Sequence, residues 1–189
     1  ALAAACAAHA VGIDADAIRA GLARCPGVPG RFELFQRTGP VIAVDYAHTA
    51  DALVRTCATA RALAGAGRVI VVFGAGGDGD AGKRGPMGAA VGAAADLAVV
   101  TTDNPRHEDP RAFAAMLVAG IERGGPARVV LEADRARAIA LALAEARPED
   151  VVVIAGKGHE TGQTIGEQTL PFSDREVLRA LLGSREEVA

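Results

Sequence analysis

Five short runs of apolar, largely β-branched residues recur along the chain, at 40–45 (PVIAVD), 68–74 (RVIVVFG), 96–102 (DLAVVTT), 127–131 (ARVVL) and 150–155 (DVVVIA). Each is apolar nearly throughout rather than alternating, as a strand covered on both faces should be. Longer Ala-rich stretches with helical periodicity separate them, at 50–64, 83–95, 110–123 and 134–146, with a last one at 173–183. Start signals support these helices: Thr49 as an N-cap, Pro110 in a first turn, and Ser173 with Glu176 three residues on as a capping-box pattern. Alternation of strand and helix predicts parallel βα units, hence an α/β, Rossmann-like fold with a mostly parallel sheet and helices on both faces. Residues 163–170 (QTIGEQTL) alternate around a glycine and predict a small edge hairpin. Two further helices, near 2–11 and 14–23, precede the Pro- and Gly-rich segment CPGVPGRFE, which reads as a linker and sets a boundary near residue 26.

Composition narrows the partners. Aromatics are 3% of the 189 residues, Trp is absent and the formal charge is -3, so the base-stacking platforms and cationic surfaces of nucleic-acid binders are not expected. Cys6, Cys25 and Cys57 lie far apart in an odd count, which argues against disulfides or a zinc site and for a reducing cytoplasm. No apolar run reaches the roughly 20 residues of a membrane span. A helix truncated at its start fits the Ala-rich opening better than a signal peptide.

In an open parallel sheet, ligands bind beyond the carboxyl ends of the strands, so the loops that follow the apolar runs are the place to look for chemistry. Four stand out: DYAHTAD (45–51), FGAGGDGDAGKRGPMG (73–88), TTDNPR (101–106) and AGKGHE (155–160). In the second, Gly74, Gly76 and Gly79 satisfy the dinucleotide spacing GxGxxG, with Asp103 at the next strand end in the acidic position, so an NAD(P)-binding module is one reading. Asp78 and Asp80 inside the glycine run oppose a pyrophosphate there. Gly77 to Arg84 also matches a P-loop up to its last position, where Arg84 offers no hydroxyl to a metal. Asp45 suits ribose hydroxyls or a metal-bound water, and His48 suits phosphate, against a structural reading of a lone His. Tyr46 reads equally well as packing. Arg106 can hold a carboxylate bidentately beside Pro105, with a capped turn at Asn104 as the plainer alternative. Glu160 can hold an ammonium, while Lys157 and His159 read equally well as residues of a solvated loop.

Taken together, VPGRFE (28–33), DYAHTAD, the GGDxDxGKRxxMG-like stretch (76–88), DNPR and GKGHE stand in the order and approximate spacing of the Mur ligases. The chain resembles in particular those that add the third residue of the peptidoglycan stem, and the likeness covers nearly its whole length. The resemblance implies a C-terminal domain at 26–189 that closes over substrates held by two preceding domains, with 1–25 a helical remnant of the central ATP-binding domain. In that family ATP phosphorylates a D-glutamyl carboxylate and an incoming amine displaces phosphate, with Mg²⁺ and a carbamylated lysine in the central domain. Implied partners are meso-diaminopimelate, the UDP-MurNAc dipeptide, ATP and the preceding domains of the same protein. Neither the family's central P-loop nor that lysine occurs here, so this chain alone is expected not to ligate. By the same likeness Asp103, Asn104, Pro105, Arg106, Gly156 and Glu160 would bind diaminopimelate, Asp45, His48 and Arg31 would contact nucleotide, and Lys83 and Arg84 would reach a substrate or phosphate. No metal ligand is expected. Two positions depart from the family: Gly79 stands where an Arg usually completes the carboxylate clamp, with Arg84 one candidate to replace it, and Ala50 stands where Pro is usual. A catalytically silent interaction domain is the remaining alternative.

Overall fold

The structure is a computed structural model that describes residues 1–25, 27–36 and 39–186. Six strands form one sheet in the order β1-β2-β6-β3-β4-β5: β1 (Glu33–Gln36), β2 (Val41–Asp45), β3 (Val69–Phe73), β4 (Leu97–Val100), β5 (Arg128–Leu131) and β6 (Val151–Ala155). All neighbours pair in parallel except β1 with β2. A separate antiparallel hairpin joins β7 (Gly162–Ile165) to β8 (Gln168–Pro171), at the place the alternating pattern around Gly166 predicts. The five apolar runs are thus five adjacent strands. Strand β1 is an addition to that reading, because its four half-buried residues, ELFQ, carry too short a pattern and are held only by their pairing with β2. Strand β5 departs differently: its residues are exposed or half-buried, since it forms the far edge and is not covered on both faces.

Side-chain alternation along the strands feeds two separate cores. Val69, Val71 and Phe73 point to one face, where α3 (Ala50–Ala64), α4 (Arg84–Ala94) and α5 (Pro110–Gly124) contribute Leu53, Val91 and Leu117. Ile70 and Val72 point to the other, against α6 (Arg135–Glu145) and α7 (Asp174–Glu186) through Ile139 and Leu178. The helix boundaries follow local chemistry. Thr49 Oγ1 accepts the N–H of Ala52 at 3.3 Å and starts α3, while Gly65 at φ 55° ends it in a left-handed turn that favours glycine. Asp109 and Asp134 cap α5 and α6 through the N–H groups of Arg111 and Arg137. At Ser173 the N–H of Glu176 bonds the backbone carbonyl at 3.1 Å.

Helices α4 and α5 meet through glycines. A Cβ added at Gly88 would lie 2.2 Å from the Leu117 carbonyl oxygen, one at Gly92 2.2 Å from that of Ile121, and one at Gly124 2.2 Å from that of Ala89. Alanine at Gly92 would gain about 1 kcal/mol of helix propensity. The clash is with backbone, however, and can be relieved only by separating the helices. Gly92→Ala is therefore expected to destabilise the fold by roughly 1–3 kcal/mol net, read as a lower urea midpoint at unchanged slope. A midpoint at or above that of the parent would refute this packing.

Helices α1 (Leu2–Ala10) and α2 (Ala15–Arg24) bury no residue of their own, although Asp14 caps α2 through the N–H groups of Asp16 and Ala17. The boundary expected at residue 26 lies outside the described residues. No described helix is long and apolar enough to cross a membrane.

Candidate functional site

Strand order decides where the site is. The chain runs from β2 past one position to β3 and outward to β5, then returns on the opposite face through α6 to place β6 between β2 and β3. The loops after β2, β3, β4 and β6 converge at the carboxyl ends of these strands, as expected at a topological switch point. A cleft of about 250 Å³ opens there, lined by Tyr46, His48, Gly74, Gly76, Lys83, Asp103, Asn104, Arg106, Gly156 and Glu160. Residues separated by more than a hundred positions in sequence thus share one wall.

The DNPR loop is fixed from both sides. Gly77 N–H donates to the Asn104 carbonyl at 2.9 Å, and Arg106 Nη1 donates to the Gly77 carbonyl at 2.6 Å, which ties the glycine-rich loop to the DNPR loop. The hairpin braces the other side: Arg106 N–H donates to the Thr164 carbonyl at 3.0 Å, Gly166 N–H to the Arg106 carbonyl at 2.7 Å, and Gln163 Nε2 to the Asp103 carbonyl at 2.8 Å. Arg106 sits at φ 50°, a left-handed conformation that costs a non-glycine residue on the order of 1–2 kcal/mol. Those backbone bonds hold it there. The exposed guanidinium spends one donor on Gly77 and keeps the rest for an acceptor.

Both signs of charge line the cleft. Arg106, Lys83 and His48 supply its cationic and hydrogen-bonding part, and Asp103 and Glu160 its carboxylates. Lys157, read from sequence as equally well a solvated-loop lysine, is instead completely buried behind those carboxylates, with Nζ 3.0 Å from Glu160 Oε2 and 3.0 Å from Asn104 Oδ1. Burial pushes the Glu160 carboxyl up, but hydrogen bonds from Asn104 and Lys157 and the charges of Lys157 and Arg135 outweigh it, so Glu160 is held below the usual carboxylate range. Asn104 Nδ2 also donates to Glu160 Oε2 at 3.0 Å, so the amide serves the cleft wall as well as facing the cleft.

The remaining candidates divide. Asp45 accepts from Phe32 N–H at 2.8 Å, Ala47 N–H at 3.0 Å and Thr56 Oγ1 at 2.8 Å, so its carboxylate is largely spent holding the segment before β1 against β2 and α3. His48 Nδ1 lies 2.7 Å from the Tyr46 carbonyl, and the Tyr46 ring is flanked by His48, His159 and, 4.3 Å above its centroid, the Arg31 guanidinium. Tyr46 therefore belongs to the cleft mouth as well as to packing. Pro105 is buried and does not line the cleft.

Arg84 is not at the cleft. It is 2% exposed, pairs with Glu108 at 2.8 Å and donates to the Gly76 carbonyl at 3.2 Å, so it is not free to replace an arginine at position 79 or to reach a phosphate. Around Gly79 a Cβ would meet only the Gly77 carbonyl oxygen, at 3.9 Å, so no neighbour fills that place.

Neither phosphate-binding lookalike has the matching geometry. Helix α4 begins at Arg84, after a 3-10 turn over Ala81–Lys83, and not at the glycine run. Asp80 Oδ1 takes the Gly82 N–H at 2.8 Å, so the chain's own carboxylate occupies the turn start where a phosphate would sit.

Similarity to known proteins agrees with this arrangement. The chain is 50% identical over 188 residues to UDP-N-acetylmuramoyl-L-alanyl-D-glutamate--2,6-diaminopimelate ligase of Alkalilimnicola ehrlichii, covering 98% of this chain and 36% of that protein. It is 48% identical over 185 residues to the enzyme of the same name from Streptomyces coelicolor, covering 94% and 36%. A solved structure carrying that name superposes with a TM-score of 0.76 at 34% identity, over 98% of this chain and 38% of the other. The chain thus spans about a third of the length of these relatives. With the family described as "Mur ligase, glutamate ligase domain" matching residues 30–158, on the strands and loops that build the cleft, the chain belongs to the Mur ligase family.

Proposed function

We propose that this chain is the amino-acid-binding, C-terminal part of an ATP-dependent ligase that adds meso-diaminopimelate to UDP-MurNAc-L-Ala-D-Glu in peptidoglycan synthesis. The observation that carries this reading is a cleft lined by both signs of charge, in which Arg106 shares the lining with Glu160 and Asp103. A diamino dicarboxylic acid offers the complementary pattern. Its distal carboxylate pairs with Arg106, and an ammonium group with Glu160 and the Gly156 carbonyl. Likeness to two named diaminopimelate ligases at 48% and 50% identity supports the same substrate.

In the proposed reaction the γ-phosphoryl of ATP passes to the D-glutamyl carboxylate, releasing ADP. The amine of diaminopimelate then attacks the acyl carbon, phosphate leaves with the electron pair, and the amine loses a proton as the amide forms. This chain contributes the grip on the amine donor. His48 and Lys83, on the cationic part of the cleft, are the groups suited to a nucleotide or acyl phosphate, and Arg31 over Tyr46 stands at its mouth. Asp45 is less suited, since its oxygens already accept three hydrogen bonds. By the chain's likeness to the Mur ligases, Mg²⁺ is assigned to the preceding domain, where it would offset the charge of the transferring phosphoryl group. Helices α1 and α2, which bury nothing here, are read as the end of that domain, and a cytoplasmic location follows from the substrates.

The full-length polypeptide is expected to release ADP only when the UDP-MurNAc dipeptide and meso-diaminopimelate are both present, and residues 1–189 alone to release none. ADP release from the isolated chain that depends on tripeptide formation, or a full-length enzyme indifferent to diaminopimelate, would refute the reading.

A further inference from the structure

Lys157 is flanked by glycines in a loop, yet its side chain is 0% exposed. A lysine is seldom buried unless its charge is met, and here three acceptors meet it: Asn104 Oδ1 at 3.0 Å, Glu160 Oε2 at 3.0 Å and Asp103 Oδ1 at 3.5 Å. Two of its three N–H donors are hydrogen-bonded, to Asn104 and Glu160, while Asp103 Oδ1 pairs with it by charge alone and receives no hydrogen bond from the described residues. Each partner belongs to a residue of the cleft wall, whereas Lys157 itself does not line the cleft.

Two orientations follow. Asn104 Oδ1 receives both Lys157 Nζ and the Thr164 N–H, at 3.0 Å each, so Nδ2 is turned toward Glu160. Lys157 and Asn104 then converge on the same oxygen of Glu160, Oε2, and Oε1 receives no hydrogen bond from the described residues. Without the lysine, Asp103 and Glu160 would share one cleft lining without the buried cation between them, which disfavours the ionised form of Glu160. With it the three sum to a single negative charge, which matches one ligand ammonium.

We propose that Lys157 is a positioning residue: its buried ammonium locks Asn104 and Glu160 so that Glu160 presents a free, ionised carboxylate oxygen to the ammonium group of the incoming amino acid. The inference rests on the reading of the cleft as an amino-acid site. The charged groups around Glu160 are Lys157 on its own loop, Asp103 and Arg106 after β4, Arg135 on α6, Lys83 before α4, and His48 after β2. Hydrogen bonds and charge from Lys157 are among the effects that offset the burial of Glu160. Their loss lets burial raise the carboxyl, and a protonated carboxyl no longer holds an ammonium.

The test uses the full-length enzyme, with KM for meso-diaminopimelate measured between about pH 6 and pH 8. In the parent, Glu160 stays ionised throughout and contributes no slope. Lys157→Met is expected to raise that KM on the order of a hundredfold, increasingly so as pH falls, with KM for ATP and kcat changed far less. Lys157→Gln keeps donors without charge and is expected to show a smaller rise with the same pH slope. A Lys157→Met enzyme with the parental KM and pH profile overturns the proposal, as does one that loses kcat alone. If the methionine variant does not fold, carbon-13 NMR of the Glu160 carboxyl in the parent and in Lys157→Gln decides: a higher titration in the variant supports the proposal, and an unchanged one overturns it. A parent that releases no ADP with diaminopimelate would refute the functional reading instead, and comparing the Glu160 titration of the parent with that of Lys157→Gln would still decide whether Lys157 governs Glu160.

Discussion

Arg135→Met is expected to destabilise the fold by about 3–5 kcal/mol, the usual consequence of removing one member of a buried ion pair. Arg135 and Asp174 are both 0% exposed in their side chains and are joined at 2.7 Å and 2.8 Å. The guanidinium also donates to the Thr102 carbonyl at 3.2 Å and the Ala155 carbonyl at 3.0 Å. It therefore ties the ends of β4 and β6, where the DNPR and GKGHE loops leave the sheet, to the first turn of α7. Methionine approximates the length of the stem but leaves the fully buried Asp174 carboxylate without its partner, and that uncompensated charge dominates the cost. Arg135→Met with Asp174→Leu is expected to recover part of the loss, because an apolar pair of similar volume is often neutral in place of a buried ion pair. Recovery should be incomplete, since two carbonyls still lose a donor. Urea denaturation of the parent and both variants measures this. A single variant within about 1 kcal/mol of the parent would show that the pair is dispensable.

Arg106→Ala in the full-length enzyme is expected to lower kcat/KM for meso-diaminopimelate by roughly ten- to hundredfold, the equivalent of a charge-assisted hydrogen-bonded contact worth about 1.5–3 kcal/mol. Use of lysine should change much less. Lysine lacks the distal carboxylate, so it has nothing for the guanidinium to hold. The effect should be concentrated in this one arginine. Position 79 is glycine with open space around it, and Arg84 is engaged with Glu108 away from the cleft. Equal losses for the two amino acids would remove Arg106 from the recognition site and leave its left-handed backbone as a purely structural feature.

Much of the scaffold is legible in the chain itself. Apolar runs too long to be amphipathic and separated by helical stretches require strands sandwiched between helices, and β2, β3, β4 and β6 are buried accordingly. Caps at Thr49, Asp109 and Asp134 act over two or three residues and so can be read locally. Strand β1 escapes such a reading because ELFQ acquires its structure from a partner strand, and β5 because nothing local says which strand will be an edge.

What the sequence by itself determined is the fold class, the strand ends that border the cleft and the family its motifs resemble, since each depends on patterns a few residues long. The tertiary structure alone decided which charges meet. Lys157, which reads equally well as a solvated-loop residue, is buried against Asn104 and Glu160, and Arg84, expected to reach a substrate or phosphate, is buried against Glu108 and Phe113. The physical reason is that a charge is buried or free according to partners brought in from far along the chain, 53 positions away for Lys157 with Asn104 and 24 for Arg84 with Glu108. No local pattern records that distance, and strand order sets it.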